Sequence, residues 1–202
     1  MAFNEKKLSL IFLTCFSVLI FSIITFVNST SNVLGSNHVD IYLYLIYSLK
    51  FAGINVGYDY IIPTLSPLIP FLNSLVFRLG FINTTSIFII TGIFYIIGVL
   101  SSFFLFKLRF NNLISTLGAT LFGGFYVVLT WTGIGSIDVP SVSLCILGIY
   151  LIMGQFKNRI FFYLGFVVLA LSFLAKFTSL LMILVVFIYF LTKPELKNNF
   201  KI

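Results

Sequence analysis

The sequence predicts an all-α membrane protein: a polytopic bundle of about six transmembrane helices that forms a single domain over residues 1–202. Hydrophobic residues make up 60% of the chain and charged residues 8%, and the mean hydropathy is +1.15. These values lie far outside those of soluble globular proteins. Uncharged apolar runs also recur near the length of about 20 residues that crosses a bilayer core. The predicted spans cover residues 8–27, 87–106, 113–131, 139–154, 160–175 and 177–191.

The first span is predicted to be an uncleaved signal anchor. Its apolar run, residues 8–27, exceeds the usual core of a cleavable signal peptide, and no A-x-A-like cleavage site follows it. Cys15 and Cys145 both fall inside predicted spans, where their separation indicates neither a disulfide framework nor a metal site. Both are predicted to be packing residues.

The long outer loop, residues 28–86, is predicted to contain two juxtamembrane helices and the functional residues. In the first helix, His38 to Phe51, Asp40, Tyr44 and Tyr47 recur at i, i+4 and i+7 and therefore share one face. This face presents a carboxylate beside phenols, so Asp40 is a candidate catalytic residue and Tyr44 a candidate substrate-binding residue. In the alternative interpretation, the tyrosines form an interfacial belt and Asp40 favours the helix N-terminus.

The second loop helix is predicted to begin after Ser66 as N-cap, with Pro67 at the first helical position. It is expected to run to about Leu79 and to end at Gly80, since glycine favours helix C-termini. The preceding Asp59 is interpreted as a turn residue.

Asp138 opens the fourth span and has two interpretations. It can cap a helix whose first turn contains Pro140. It can also face Asp40 across the mouth of the bundle, where two carboxylates would bind a divalent cation or raise one another's pKa. Lys176 would complete a trio at the same level. A lysine near the membrane is a functional candidate, and a phosphate is its natural partner; snorkelling is the alternative.

The last two predicted spans, 160–175 and 177–191, each extend only about 23 Å. A single long helix would place Lys176 near the membrane midplane at a high energetic cost. The sequence therefore favours a tight hairpin with Lys176 at the outer surface.

The basic residues predict the topology. Of the 12 lysines and arginines, three face outside in the six-span arrangement: Lys50, Arg78 and Lys176. The other nine are expected on the cytoplasmic side, together with both termini. They form the clusters Lys6/Lys7, Lys107/Arg109, Lys157/Arg159 and Lys193/Lys197/Lys201. The net charge of +7 is thus explained by topology, and no nucleic-acid partner is expected.

The order of these motifs resembles the N-terminal half of GT-C membrane glycosyltransferases, most closely the branch of protein O-mannosyltransferases and lipid A aminoarabinose transferases. The motifs are Asp40 after the first span, a G-x-x-x-G-Y turn, the P-x-L-x-P-L-x-P run from Pro63 to Pro70, Asp138-Val139-Pro140 and Leu174-Ala175-Lys176. Such enzymes transfer a sugar from a polyprenyl-phosphate donor at the extracytoplasmic face of the cell membrane.

The resemblance implies that Asp40 is the general base that deprotonates an acceptor hydroxyl and that Lys176 contacts the lipid phosphate. Asp138 matches an acid of the second outer loop, which would orient the acceptor, bind a cation or cap the helix. The implied partners are a lipid-linked sugar donor and membrane lipids, with no certain cofactor. Where the mannosyltransferase-type relatives often carry paired acids, this chain has Asp40-Ile41.

Family enzymes continue for several more spans, so a truncated product, one half of a split enzyme with a second membrane subunit, and an accessory subunit all remain open. A non-catalytic subunit of a membrane complex would tolerate replacement of Asp40 and Lys176. A small transporter would carry polar residues in the middle of its spans, whereas this chain carries its acids at their outer ends.

Overall fold

The computed structural model describes residues 2–30, 39–55, 57, 66–154 and 159–192. Throughout these ranges the regular secondary structure is helical, which confirms the predicted all-α class. The helices are α1 (Ala2–Thr30), α2 (Val39–Phe51), α3 (Leu68–Arg78), α4 (Thr85–Phe106), α5 (Asn112–Gly124), α6 (Tyr126–Gly133), α7 (Asp138–Gly154), α8 (Arg159–Ala175) and α9 (Leu180–Thr192), with a 3₁₀ turn at Phe177–Ser179.

The predicted spans coincide in position with helices of the structure. In the described residues, α1 and α4 are long and apolar enough to cross a membrane, and the bent pair α5–α6 is a third candidate. The helices α7, α8 and α9 are apolar but shorter. A total of six spans therefore stays a prediction.

Helix α4 lies at the centre of the bundle, in contact with α1, α5 and α7. Its side chains Tyr95, Val99 and Phe103 are fully buried and pack with Leu13 of α1 and Ala119 of α5. The mutual burial of these apolar surfaces positions the later helices around α4.

The predicted third span, 113–131, is a broken helix. The chain bends by 50° between α5 and α6, where Phe125 has an extended backbone. A break of this kind frees backbone carbonyls that need other partners in a membrane. The hydroxyl of Tyr95 donates to the carbonyl oxygen of Gly123 at 2.9 Å, and Phe125 N–H donates to the Phe122 carbonyl at 3.3 Å. The two bonds satisfy two of the carbonyls at the end of α5.

The two predicted loop helices are present as α2 and α3, which pack against each other. Arg78 at the end of α3 donates to the carbonyl oxygen of Phe51 at the end of α2, at 2.5 Å. The predicted N-cap is wrong by one position, because Pro67 occupies it without a side-chain bond. Gly80 follows α3 with φ of +93°, as a C-terminal glycine should. Asp59 lies outside the described residues, as does His38.

Helices α7 and α8 form the most extensively packed pair. A Cβ built on Gly148 or on Gly165 would lie 3.0 Å from the carbonyl oxygen of the other glycine, so the two backbones touch there. This close approach leaves no room for a side chain at either position.

The chain turns at Lys176. Helix α8 ends at Ala175, and Lys176 has an extended backbone with φ of −156° and ψ of 125°. Val186 of α9 packs in the same cluster as Phe162 and Leu169 of α8, so α9 returns along the hairpin. A single helix through Lys176 is therefore ruled out.

Candidate functional site

Asp138 and Lys176 form an ion pair where α7 begins and α8 ends. The ammonium group of Lys176 donates to Asp138 Oδ1. The Lys176 side chain is 31% exposed and the Asp138 side chain 32%. The hydroxyl of Ser136 donates to Asp138 Oδ2 at 2.7 Å and accepts the Asp138 backbone N–H at 3.1 Å. Both carboxylate oxygens are thus engaged, and Ser136, rather than Asp138, accepts a backbone N–H at the start of α7.

Asp40 and Tyr44 lie one turn apart on α2. Asp40 is exposed in the first turn, whereas Tyr44 is half-buried and packs against the apolar cluster that joins α2, α3 and α4. This placement anchors the tyrosine while leaving the carboxylate accessible to a substrate.

Tyr44 connects the two acids electrostatically. Burial is the largest cause that raises the pKa of Tyr44 from its ordinary value of 10.0 to about 12, and the charges of Asp40 and then Asp138 raise it further in the same direction. Tyr44 also packs against the cluster that contains Ile137, the residue before Asp138, so α2 lies near the start of α7. At neutral pH the phenol keeps its proton and is available as a hydrogen-bond donor.

The raised pKa of Tyr44 predicts a pH-dependent loss of stability. The contribution of a group with a raised native pKa is fully present below the unfolded-state value and is lost as the pH rises through the native value. The melting temperature should consequently fall between pH 10 and pH 12, by less in Tyr44→Phe than in the wild type. Tyr126→Phe, on an exposed side chain, is the control; equal pH profiles for wild type and Tyr44→Phe would contradict the placement.

A divalent cation between Asp40 and Asp138 would have to displace Lys176 from Asp138 Oδ1. The described residues contain no group of three or more His, Cys, Asp or Glu side chains that could hold a metal ion. The cation stays a prediction from the sequence, and the reaction proposed below uses none.

An apolar groove of about 170 Å³ leads to Asp138. It opens between the bent segment and α7, and residues on both sides of the break at Phe125 line it. Its lining residues are Phe122, Val127, Val128, Trp131, Asp138, Val139 and Val142. Since all but one of these residues are apolar, the groove suits a hydrocarbon chain, and its polar end is Asp138, which pairs with Lys176.

The structure brings Asp138 and Lys176 into direct contact, and the packing of Tyr44 against the cluster that contains Ile137 places α2, with Asp40, near them. Sequence reasoning missed Ser136 and the groove. The Ser-x-Asp spacing before a helix was the available signal for Ser136. Valines and phenylalanines occur throughout this chain, so no local signal distinguished those of the groove.

Comparison with known proteins identifies the family of the chain. The family model described as dolichyl-phosphate-mannose-protein mannosyltransferase matches residues 64–201, which include Asp138 and Lys176 but not Asp40. No curated protein and no solved structure matches the chain. The match covers more than half of the chain and confirms the resemblance to GT-C glycosyltransferases: this multi-pass membrane protein belongs to the dolichyl-phosphate-mannose-protein mannosyltransferase family.

Proposed function

We propose that the protein transfers a sugar from a polyprenyl-phosphate donor to a hydroxyl acceptor at the extracytoplasmic face of the membrane. The observation that carries this proposal is the Asp138–Lys176 ion pair at the end of an apolar groove, near the helix α2 that bears Asp40 and Tyr44. A base, a phosphate-binding cation and a channel for a lipid chain are the parts that such a reaction needs.

In the proposed reaction, Asp40 accepts the proton of the acceptor hydroxyl. The acceptor oxygen then forms a bond to the anomeric carbon, and the bond between that carbon and the phosphate oxygen breaks. The lipid phosphate leaves with the electron pair of that bond. Because Asp40 is exposed and is not among the acids that Lys176 contacts, it can meet an incoming hydroxyl.

Lys176 stabilises the negative charge of the departing phosphate. An ammonium group has three N–H donors, and the bond to Asp138 uses one of them. Asp138 thus holds the ammonium group in place while two donors remain for phosphate oxygens, an arrangement that costs little reorganisation when the charge develops. The protonated phenol of Tyr44 donates a hydrogen bond to the sugar or to the acceptor between the two acids.

The groove between α6 and α7 receives the first part of the polyprenyl chain. This assignment places the charged head beside Lys176 and the apolar chain against valine and aromatic side chains. The site would then lie at the extracytoplasmic surface, with the basic clusters and both termini in the cytoplasm.

Transfer measured in native membranes that contain polyprenyl-phosphate mannose tests this proposal. We expect transfer by the wild type, and a donor KM about tenfold higher in Val142→Trp, because an indole in the groove displaces roughly two methylene groups of the chain. Val185→Trp is the matched control, since Val185 is an exposed valine on α9 outside the groove.

The outcomes separate the proposal from its rival. An unchanged donor KM in Val142→Trp would show that the lipid chain lies elsewhere. If the folded wild type neither binds nor transfers polyprenyl-phosphate sugars, the enzymatic proposal fails in favour of an accessory subunit of a membrane complex.

A further inference from the structure

We propose that Ser141 and Ser172 are positioning residues that hold α8 in the register in which Lys176 reaches Asp138. The inference goes beyond the proposed function, since no role in transfer has so far been given to either serine. It rests on that function only where donor binding is used as a readout.

The two serines form a reciprocal pair of hydrogen bonds between α7 and α8. The hydroxyl of Ser172 donates to the carbonyl oxygen of Ser141 at 2.9 Å, and the hydroxyl of Ser141 donates to the carbonyl oxygen of Ser172 at 3.3 Å. Ser172 is 0% exposed and Ser141 is 3% exposed. Each side chain thus binds the backbone of the opposite helix, so the pair restrains the helices themselves and not only two mobile side chains.

Cys145 completes this polar cluster. Its sulfur lies 3.0 Å from the Ser172 hydroxyl oxygen. The Ser172 hydroxyl also donates to the Ser141 carbonyl, so the thiol and the serine pair form one hydrogen-bonded group. The groups of the cluster are therefore mutually satisfied, as polar groups inside an apolar bundle must be.

The same carbonyl of Ser172 connects the serine pair to Lys176. It accepts the backbone N–H of Lys176 at 3.0 Å, which is the last helical bond before the chain becomes extended. Beyond that point, the carbonyl oxygen of Lys176 accepts the backbone N–H of Ser179 at 3.0 Å and its hydroxyl at 2.9 Å. Hydrogen bonds therefore restrain the backbone of Lys176 at both its N–H and its carbonyl. The Ser172 carbonyl that binds this N–H also accepts the Ser141 hydroxyl.

The spacing supports one continuous antiparallel register. Ser141 lies three residues after Asp138 on α7, and Ser172 lies four residues before Lys176 near the end of α8. Gly148 lies seven residues after Ser141, and Gly165 lies seven residues before Ser172. The backbones of these two glycines touch. A shift of one residue at the serine pair would move Lys176 by about 1.5 Å along the helix axis and away from the Asp138 carboxylate.

The test is the rate at which a water-soluble acylating reagent modifies the ε-amine of Lys176 in the full-length protein, relative to Lys50 in the same chains, read by peptide mass spectrometry. We expect the relative rate to rise about threefold in Ser172→Ala and in Ser141→Ala, the effect of one hydrogen bond between membrane helices. The double variant should rise by less than the product of the two single effects, because the two serines act as one unit.

Ser143→Ala is the matched control. Ser143 lies on the same helix, is equally buried and has no hydrogen-bond partner among the described residues; its hydroxyl faces Gly98 of α4. We expect no change in the modification of Lys176 in this variant. Equal rates in Ser172→Ala, Ser141→Ala and Ser143→Ala would overturn the inference.

Donor kinetics distinguish this inference from the proposed function. A positioning role predicts a donor KM about threefold higher in Ser172→Ala with an unchanged acceptor KM, a split that general loosening of the bundle would not produce. If the modification rate rises while the donor KM stays constant, the register role stands and the phosphate contact assigned to Lys176 is wrong.

Discussion

Asp40→Asn is expected to reduce the turnover rate by about 10²–10⁴-fold, the usual contribution of a general base. The amide has nearly the shape of the carboxylate but cannot accept the proton of the acceptor hydroxyl. Donor KM should stay close to the wild-type value, because the proposed phosphate and lipid contacts involve Lys176 and the groove. Turnover is measured at saturating donor and acceptor in membranes that contain equal amounts of folded protein.

Asp59→Asn serves as the control for charge removal in the same outer loop, and it should leave turnover unchanged. Since Asp40 is exposed in the first turn of α2, its replacement disturbs little packing, and the variant should fold. Wild-type turnover in Asp40→Asn would remove this residue from the mechanism and return it to the role of a helix N-terminal acid.

Exchanging the ion pair separates its structural role from its chemical role. Lys176→Met leaves Asp138 without its cation, and we expect a cost of about 2 kcal/mol, between the values for exposed and buried pairs because both side chains are about one-third exposed. This corresponds to a melting temperature roughly 5 °C lower. The double variant Asp138→Lys/Lys176→Asp should recover most of this loss, since opposite charges again face each other.

Transfer should nevertheless stay at least 10²-fold reduced in the exchanged variant. Its ammonium group would project from α7 rather than from the turn after α8, away from the position assigned to the phosphate. Thermal unfolding and transfer are measured on the same preparations, with Lys50→Met as the control for loss of an outer lysine. Normal transfer by the exchanged variant would mean that the pair serves only the fold.

Several elements were predictable because their signals are local in the chain. Hydropathy located the apolar helices, including α1 and α4, which are long enough to cross a membrane. The spacing of Asp40 and Tyr44 placed both on one helical face before any tertiary contact was known. Gly80 marked the end of α3 for the same reason, since a positive φ is a property of a single residue.

The remaining features depend on contacts between distant residues. Asp138 and Lys176 were expected at the same level, but their ion pair depends on the register of α7 against α8, which hydropathy does not encode. The pairing of Ser141 with Ser172 arises from that same register. The bend at Phe125 was missed because the run 113–131 contains no charged residue and no proline that would indicate a break.

Because the bend at Phe125 is present in the folded protein, the groove is already open before a lipid chain arrives. In a straight segment the Gly123 carbonyl would accept the Val127 N–H, as in any α-helix. In the bent segment the Tyr95 hydroxyl takes the place of that donor, so the bend leaves this carbonyl satisfied. The open shape is thereby built in during folding, and an arriving lipid chain need not bend the helix to enter. The groove is preorganised: conformational entropy that would otherwise be lost on association has already been lost, which leaves more of the contact energy for affinity.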